Sequence, residues 1–143
     1  MAYMCMGCYE VYDRDLGCCP KPACYCDVVE IDELILPAVK ILNEKGFPTT
    51  NCCSGHIYDN GCNIYISFHK FLTEIYDVDE IKEMFENLPK SWELEFNSNG
   101  GFALEHMMDY MLREKDDVAL YEEIVNVNLE LLKFVQQLPY LEY

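Results

Sequence analysis

Along the chain, Ile31, Leu34, Ile35, Ala38, Val39 and Leu42 fall at i, i+3, i+4, i+7, i+8 and i+11, the apolar stripe of one helix face. Gly46 stands as its C-terminal cap. Pro37 lies inside the stripe, so either the helix is kinked there or a short turn precedes a helix that begins near Pro37. Phe47 to Cys52 then reads as a strand, and Ile64, Ile66 and Phe68 alternate with Tyr65 and Ser67 as another. Asn60-Gly61 suits a two-residue hairpin turn ahead of that strand.

Asp77 and Glu80 have the spacing of a capping box, and Val78, Ile81, Phe85 and Leu88 line one face before Pro89, which predicts a helix. Trp92, Leu94 and Phe96 alternate with Glu93 and Glu95 as a strand; NSNGG makes a turn, and Phe102 and Leu104 return as its partner, with His106 of the same parity and so aimed at the core. A helix starting near His106 is the other reading of that last stretch. Leu120, Ile124, Val127, Leu131, Phe134 and Leu138 predict a long helix from near Asp116-Asp117 to Pro139. The pattern gives an α+β fold in which a mostly antiparallel sheet carries helices on one face.

The first thirty residues break from this pattern. They contain Val11, Leu16, Val28 and Val29 but few other aliphatics, and six cysteines: Cys5, Cys8, Cys18, Cys19, Cys24 and Cys26. Such a segment has no apolar core of its own and needs a crosslink to be ordered. Cys5-Met6-Gly7-Cys8 is a C-x₂-C knuckle, and after the spacer EVYDRDLG the stretch CCPKPACYC offers a second cluster. Two cysteine clusters flanking a turn-forming spacer resemble a zinc ribbon or a rubredoxin-like pair of knuckles. We therefore expect residues 1–30 to form a zinc-binding segment, with Cys5, Cys8, Cys19 and Cys24 as ligands to a structural Zn²⁺ and Cys26 as the alternative ligand. Residues 31–143 form the α+β domain. Thiolate spacing alone fits a single iron as well as zinc.

Composition sharpens the functional classes. With 143 residues, 51% of them hydrophobic, the chain is one domain or a small domain with an appendage. It has no apolar run long enough to cross a bilayer and no signal-peptide pattern at its start, so a cytoplasmic location is expected. In that reducing setting nine cysteines read as ligands or reactive thiols ahead of disulfides. Ten basic residues against 26 acidic ones give a net charge of −16, spread over the whole chain. A phosphate backbone is repelled by such a surface, which disfavours nucleic acid. The expected partner is a protein, a basic surface above all, or a small molecule.

The remaining motif is TTNCCSGHI, residues 49–57, which puts Cys52, Cys53 and His56 around a small glycine, Gly55. Together with the preceding IDELILPAVKILNEK, it resembles the segment of the tRNA wybutosine-synthesising protein 3 family in which a helix leads to a strand ending in TTSSCSGR. The match rests on Thr49, Thr50, Cys53, Ser54, Gly55 and Ile57 within residues 31–68. The resemblance implies methyl transfer from S-adenosylmethionine to a modified tRNA base. From the residues alone, Cys53 and His56 are candidates for a nucleophile and its base or, with Cys62, His69 or His106, for a metal site. The loop is equally readable as a strand-to-turn junction that needs Gly55 for its backbone. The chain is thus expected to be a zinc-binding module with a ligand or partner site near the CSGH loop. The alternatives are an enzyme using Cys53 and His56 and, from charge alone, an acidic nucleic-acid mimic that blocks a basic protein.

Overall fold

The structure, a computed structural model, describes residues 2–55, 63–106 and 117–143. The Asn60-Gly61 turn and residue 116, one of the two expected start positions of the last helix, lie outside them. The fold is α+β, with two antiparallel sheets. The first has the order β2-β1-β3, from β1 (Ala2–Cys5), β2 (Val11–Tyr12) and β3 (Val28–Ile31). The second has the order β4-β5-β7-β6, from β4 (Thr49–Cys53), β5 (Ile64–Phe68), β6 (Glu93–Phe96) and β7 (Phe102–His106). The helices are α1 (Leu36–Glu44), α2 (Phe71–Ile75), α3 (Val78–Met84) and α4 (Asp117–Gln137).

Ile31 belongs to β3, opposite Ala2 on β1, and not to the helix its spacing suggested. Proline explains the difference. Pro37 sits in the first turn of α1, where its missing N–H costs nothing, whereas deeper in a helix its ring would clash with the preceding turn and remove a hydrogen bond. Of the two readings of the Ile31–Leu42 stripe, the helix beginning near Pro37 is the one realised. The backbone reaches α1 through a turn in which Ile35 and Leu36 donate to the Asp32 carbonyl. At the far end Gly46 takes a φ of +93°, and its N–H and that of Phe47 return to the carbonyls of Asn43 and Leu42.

The second sheet keeps the expected parity. Ile64, Ile66 and Phe68 stand opposite His106, Leu104 and Phe102, and Leu104 and Phe102 in turn oppose Leu94 and Phe96. Every member of the first two rows is buried. Phe68 stacks on Phe102 with centroids 4.6 Å apart, and Phe85 meets Phe47, Phe102 and Phe134 at 5.7–6.0 Å, separations typical of favourable aromatic pairs. The capping box of α3 is complete: Glu80 N donates to Asp77 Oδ1 at 2.8 Å and Asp77 N to Glu80 Oε1 at 3.4 Å.

Two long-range ties fix the rest. Lys45, at the end of α1, is buried and donates through Nζ to the carbonyls of Val135, Gln136 and Leu138 at 2.6–3.0 Å. It thereby caps α4, whose last turn has no basic residue of its own. Met4 of β1 is fully buried in the main core, so the cysteine-rich sheet is fastened to the α+β body.

Candidate metal centre

The first sheet has a very small core: Cys5, Cys19 and Val28 are buried, with Tyr3, Tyr12 and Cys24 packed against them. Sulfur takes the place that aliphatic side chains would hold elsewhere. β1 delivers Cys5 at its end; the chain then turns through Met6 and Gly7 to Cys8, with Tyr9 N donating back to the Cys5 carbonyl at 3.0 Å. Cys19 is held in place by its N–H on the Cys26 carbonyl at 2.8 Å, and Cys24 N closes the second loop on the Lys21 carbonyl at 3.2 Å. The two loops are joined at the surface by Lys21 Nζ and Glu10, 2.9 Å apart. Lys40 of α1 clamps the first loop by donating to the Tyr9 carbonyl at 2.7 Å.

These loops bring the Sγ atoms of Cys5, Cys8, Cys19 and Cys24 together, all within 4.8 Å of one another. Cys5 and Cys24 stand 3.5 Å apart and Cys8 and Cys19 3.8 Å apart. A tetrahedron built on metal–sulfur bonds of about 2.3 Å has edges of roughly 3.8 Å, the range of the two S–S separations above. Four cysteines so placed can hold a metal ion.

The surroundings favour thiolates at Cys5 and Cys19. Gly7 N and Cys8 N donate to Cys5 Sγ at 3.3 and 3.4 Å. Burial pushes the Cys5 thiol up, but the Cys8 and Gly7 amides, with the Cys24 and Cys8 thiols, outweigh it and bring it down to about 6. The Tyr12 hydroxyl, 3.2 Å from Cys19 Sγ, draws that thiol down against its burial. Cys8 goes the other way. The Glu10 amide lowers it, yet burial and the sulfurs of Cys5, Cys19 and Cys24 raise it to about 11. Cys24 is also raised, since its neighbours Cys5 and Cys19 outweigh the Cys26 amide. Four adjacent sulfurs repel a third and fourth negative charge, and a divalent ion removes that obstacle by displacing the last protons.

Cys26, the alternative ligand, stands beside this quartet. It is exposed, and a methyl group at Gly7 would overlap its sulfur. Cys18 is exposed and forms a strand-like bridge with Asp27.

The CSGH motif is described only as far as Gly55; His56 and Cys62 lie outside the described residues. Cys53 is buried at the end of β4. Cys52 is half-buried, and burial followed by the Asp32 charge pushes its thiol up to about 11, the behaviour of an inert cysteine. Ser54 donates to Asp32 Oδ2 through N at 3.0 Å and Oγ at 3.2 Å, and its carbonyl accepts from Asn128 Nδ2 at 3.1 Å. Gly55 has a φ of +93°, and a Cβ there would stand 2.8 Å from Ile64 Cγ1. His69 Nδ1 accepts from Phe71 N. His106 is buried; its Nδ1 donates to the Ser91 carbonyl at 2.6 Å, and its Nε2 lies 3.6 Å from Glu123 Oε1. Among the described residues, the cysteine quartet is the metal-capable cluster.

One feature had no signal in the sequence. A cavity of about 320 Å³ opens between the edge strands of the two sheets, lined by Met6, Val29, Ile31, Val39, Asn51 and Cys52 among others. It places the knuckle residue Met6 and the strand leading into CSGH on the same groove. Compared with known proteins, the chain matches no family model, no curated protein and no solved structure.

Proposed function

We propose that this protein is a zinc-binding module in which Cys5, Cys8, Cys19 and Cys24 hold one structural Zn²⁺, and that the groove between β3 and β4 receives its partner. The observation that carries the reading is the convergence of four thiol sulfurs within 4.8 Å of one another, supported by amide and hydroxyl donors. Zinc imposes no preferred geometry of its own and suits a closed site with four thiolates. The ion stands in for the missing aliphatic core of the first sheet.

Backbone conformation supports the same reading. Among the described residues, the non-glycine residues with positive φ are Tyr9, Ala23 and Tyr25, at 62°, 66° and 52°. All three border the ligands: Tyr9 follows Cys8, and Ala23 and Tyr25 flank Cys24. Left-handed backbone costs an L-residue about 1–2 kcal/mol, and it persists only where the surroundings over-determine it. Four metal–thiolate bonds supply that constraint.

The partner groove is coupled to the metal through Met6, which lies between two of the proposed ligands and lines the cavity. Glu30 on its rim and the overall charge of −16 favour a partner segment bearing lysine or arginine. Cobalt substitution tests the centre: one equivalent of Co²⁺ should give the intense absorption of a tetrahedral thiolate complex, and Cys19→Ser should abolish it. Weak, octahedral-type cobalt absorption in the wild type would count against the site.

A further inference from the structure

Resting on the reading of the quartet as a metal centre, we propose that Cys26 is an oxidation site that opens it. Oxidation joins Cys26 to Cys24 in a disulfide, and the metal loses a ligand. The two sulfurs share one small gap above the first knuckle. A Cβ added at Gly7 would overlap Cys26 Sγ and stand 3.3 Å from Cys24 Sγ. Gly7 thus leaves the space through which the two thiols meet. Tyr25, the single residue between them, is left-handed. A helical-type turn holds Cα atoms two residues apart at roughly 5.5 Å, inside the roughly 4.4–6.8 Å that a disulfide spans.

Exposure sets the order of events. Cys26 is exposed and its thiol is 3.5 Å from the Cys24 carbonyl, whereas Cys24 is half-buried and Cys5 and Cys19 are fully buried; Cys8 is exposed as well, but as a ligand its sulfur is committed to the metal, while Cys26 is free to meet the oxidant first. Cys18 is exposed too, but its sequence neighbour Cys19 has its Cα only about 3.8 Å away, below the disulfide range. Cys26 is therefore the spare thiol with a ligand in reach.

The oxidant is a peroxide. Its O–O bond breaks as it converts the Cys26 thiol to a sulfenic acid, releasing water. The Cys24 thiolate then leaves the metal and attacks the Cys26 sulfur; the S–S bond forms, the S–O bond breaks, and the hydroxide departs with a proton as a second water. The two sulfurs lose two electrons and the peroxide gains them. The ion is left with three thiolates, and a dithiol reductant restores the fourth.

The test uses the full chain purified with its metal, treated with hydrogen peroxide while a chromogenic chelator follows metal release. Peptide mass mapping of the product locates the disulfide. Wild type should release its metal and show a Cys24–Cys26 link, with dithiothreitol restoring metal binding. Cys26→Ser should slow release about tenfold because the exposed thiol is gone, while Cys18→Ser should behave as wild type. Equal release from wild type and Cys26→Ser, or a disulfide mapped to Cys5–Cys8, would overturn the proposal. A reduced wild-type chain that carries no metal at the outset defeats the metal reading itself, so the two failures are distinguishable.

Discussion

Gly55 shows how a single residue decides the CSGH junction. Its φ of +93° excludes ordinary side chains, and Ile64 fills the space a Cβ would take. Gly55→Ala is expected to cost about 2–3 kcal/mol of stability, part backbone strain and part overpacking, measured by denaturant unfolding; a change within experimental error would contradict that packing. The need for a glycine there was legible in the sequence. Its partners were not, because the Asp32–Ser54 and Ser54–Asn128 bonds join positions far apart in the chain. The four cysteines were legible for a different reason: clustered thiols in a core-poor segment have few physical fates. The loop hydrogen bonds that set Cys26 beside the quartet could be seen only in three dimensions.

Among the elements, periodicity failed where a breaker overrode it. The stripe from Ile31 to Leu42 fits one helix, but Pro37 ends the helix from its N-terminal side and releases Ile31 to β3. β1 and α2 gave little signal, being short, and β1 draws its register from β3 rather than from a pattern of its own. Lys45 carries no signal of its role in the sequence, yet it caps α4. Lys45→Met should lower stability by about 3 kcal/mol, since three carbonyls at the end of α4 lose their common donor. Hydrogen exchange should show fraying over the last turn of α4. The outer face of the second sheet makes an opposite prediction. Glu105 lies opposite Glu93, and burial, then Glu95 and Glu93, hold its carboxyl above the usual range. A raised folded-state value favours the protonated form, so this contribution is present at low pH and lost as pH rises through that value. Glu105→Gln should therefore raise the thermal midpoint at neutral pH, with the gain shrinking toward acid. A gain that grows toward acid would have the wrong sign.

At the scale of the molecule, an α+β body with a phenylalanine-rich core carries a small sheet that has cysteines where a core should be. The body can fold on its apolar burial. The sheet is held to it by Met4, by Met6 and Tyr9 packed against the core, and by the Lys40–Tyr9 bond, while its second loop keeps left-handed Ala23 and the exposed, left-handed Tyr25. In this account the metal is what makes residues 2–31 a defined structure, and with it the groove they share with β4. The most direct test is the metal content of the chain purified without added metal, read together with hydrogen exchange of residues 2–31 before and after chelation. We predict about one zinc per chain and, on chelation, loss of protection in that segment while β5, β7 and α4 stay protected. A wild-type chain that is metal-free and yet fully protected over residues 2–31 would contradict the account.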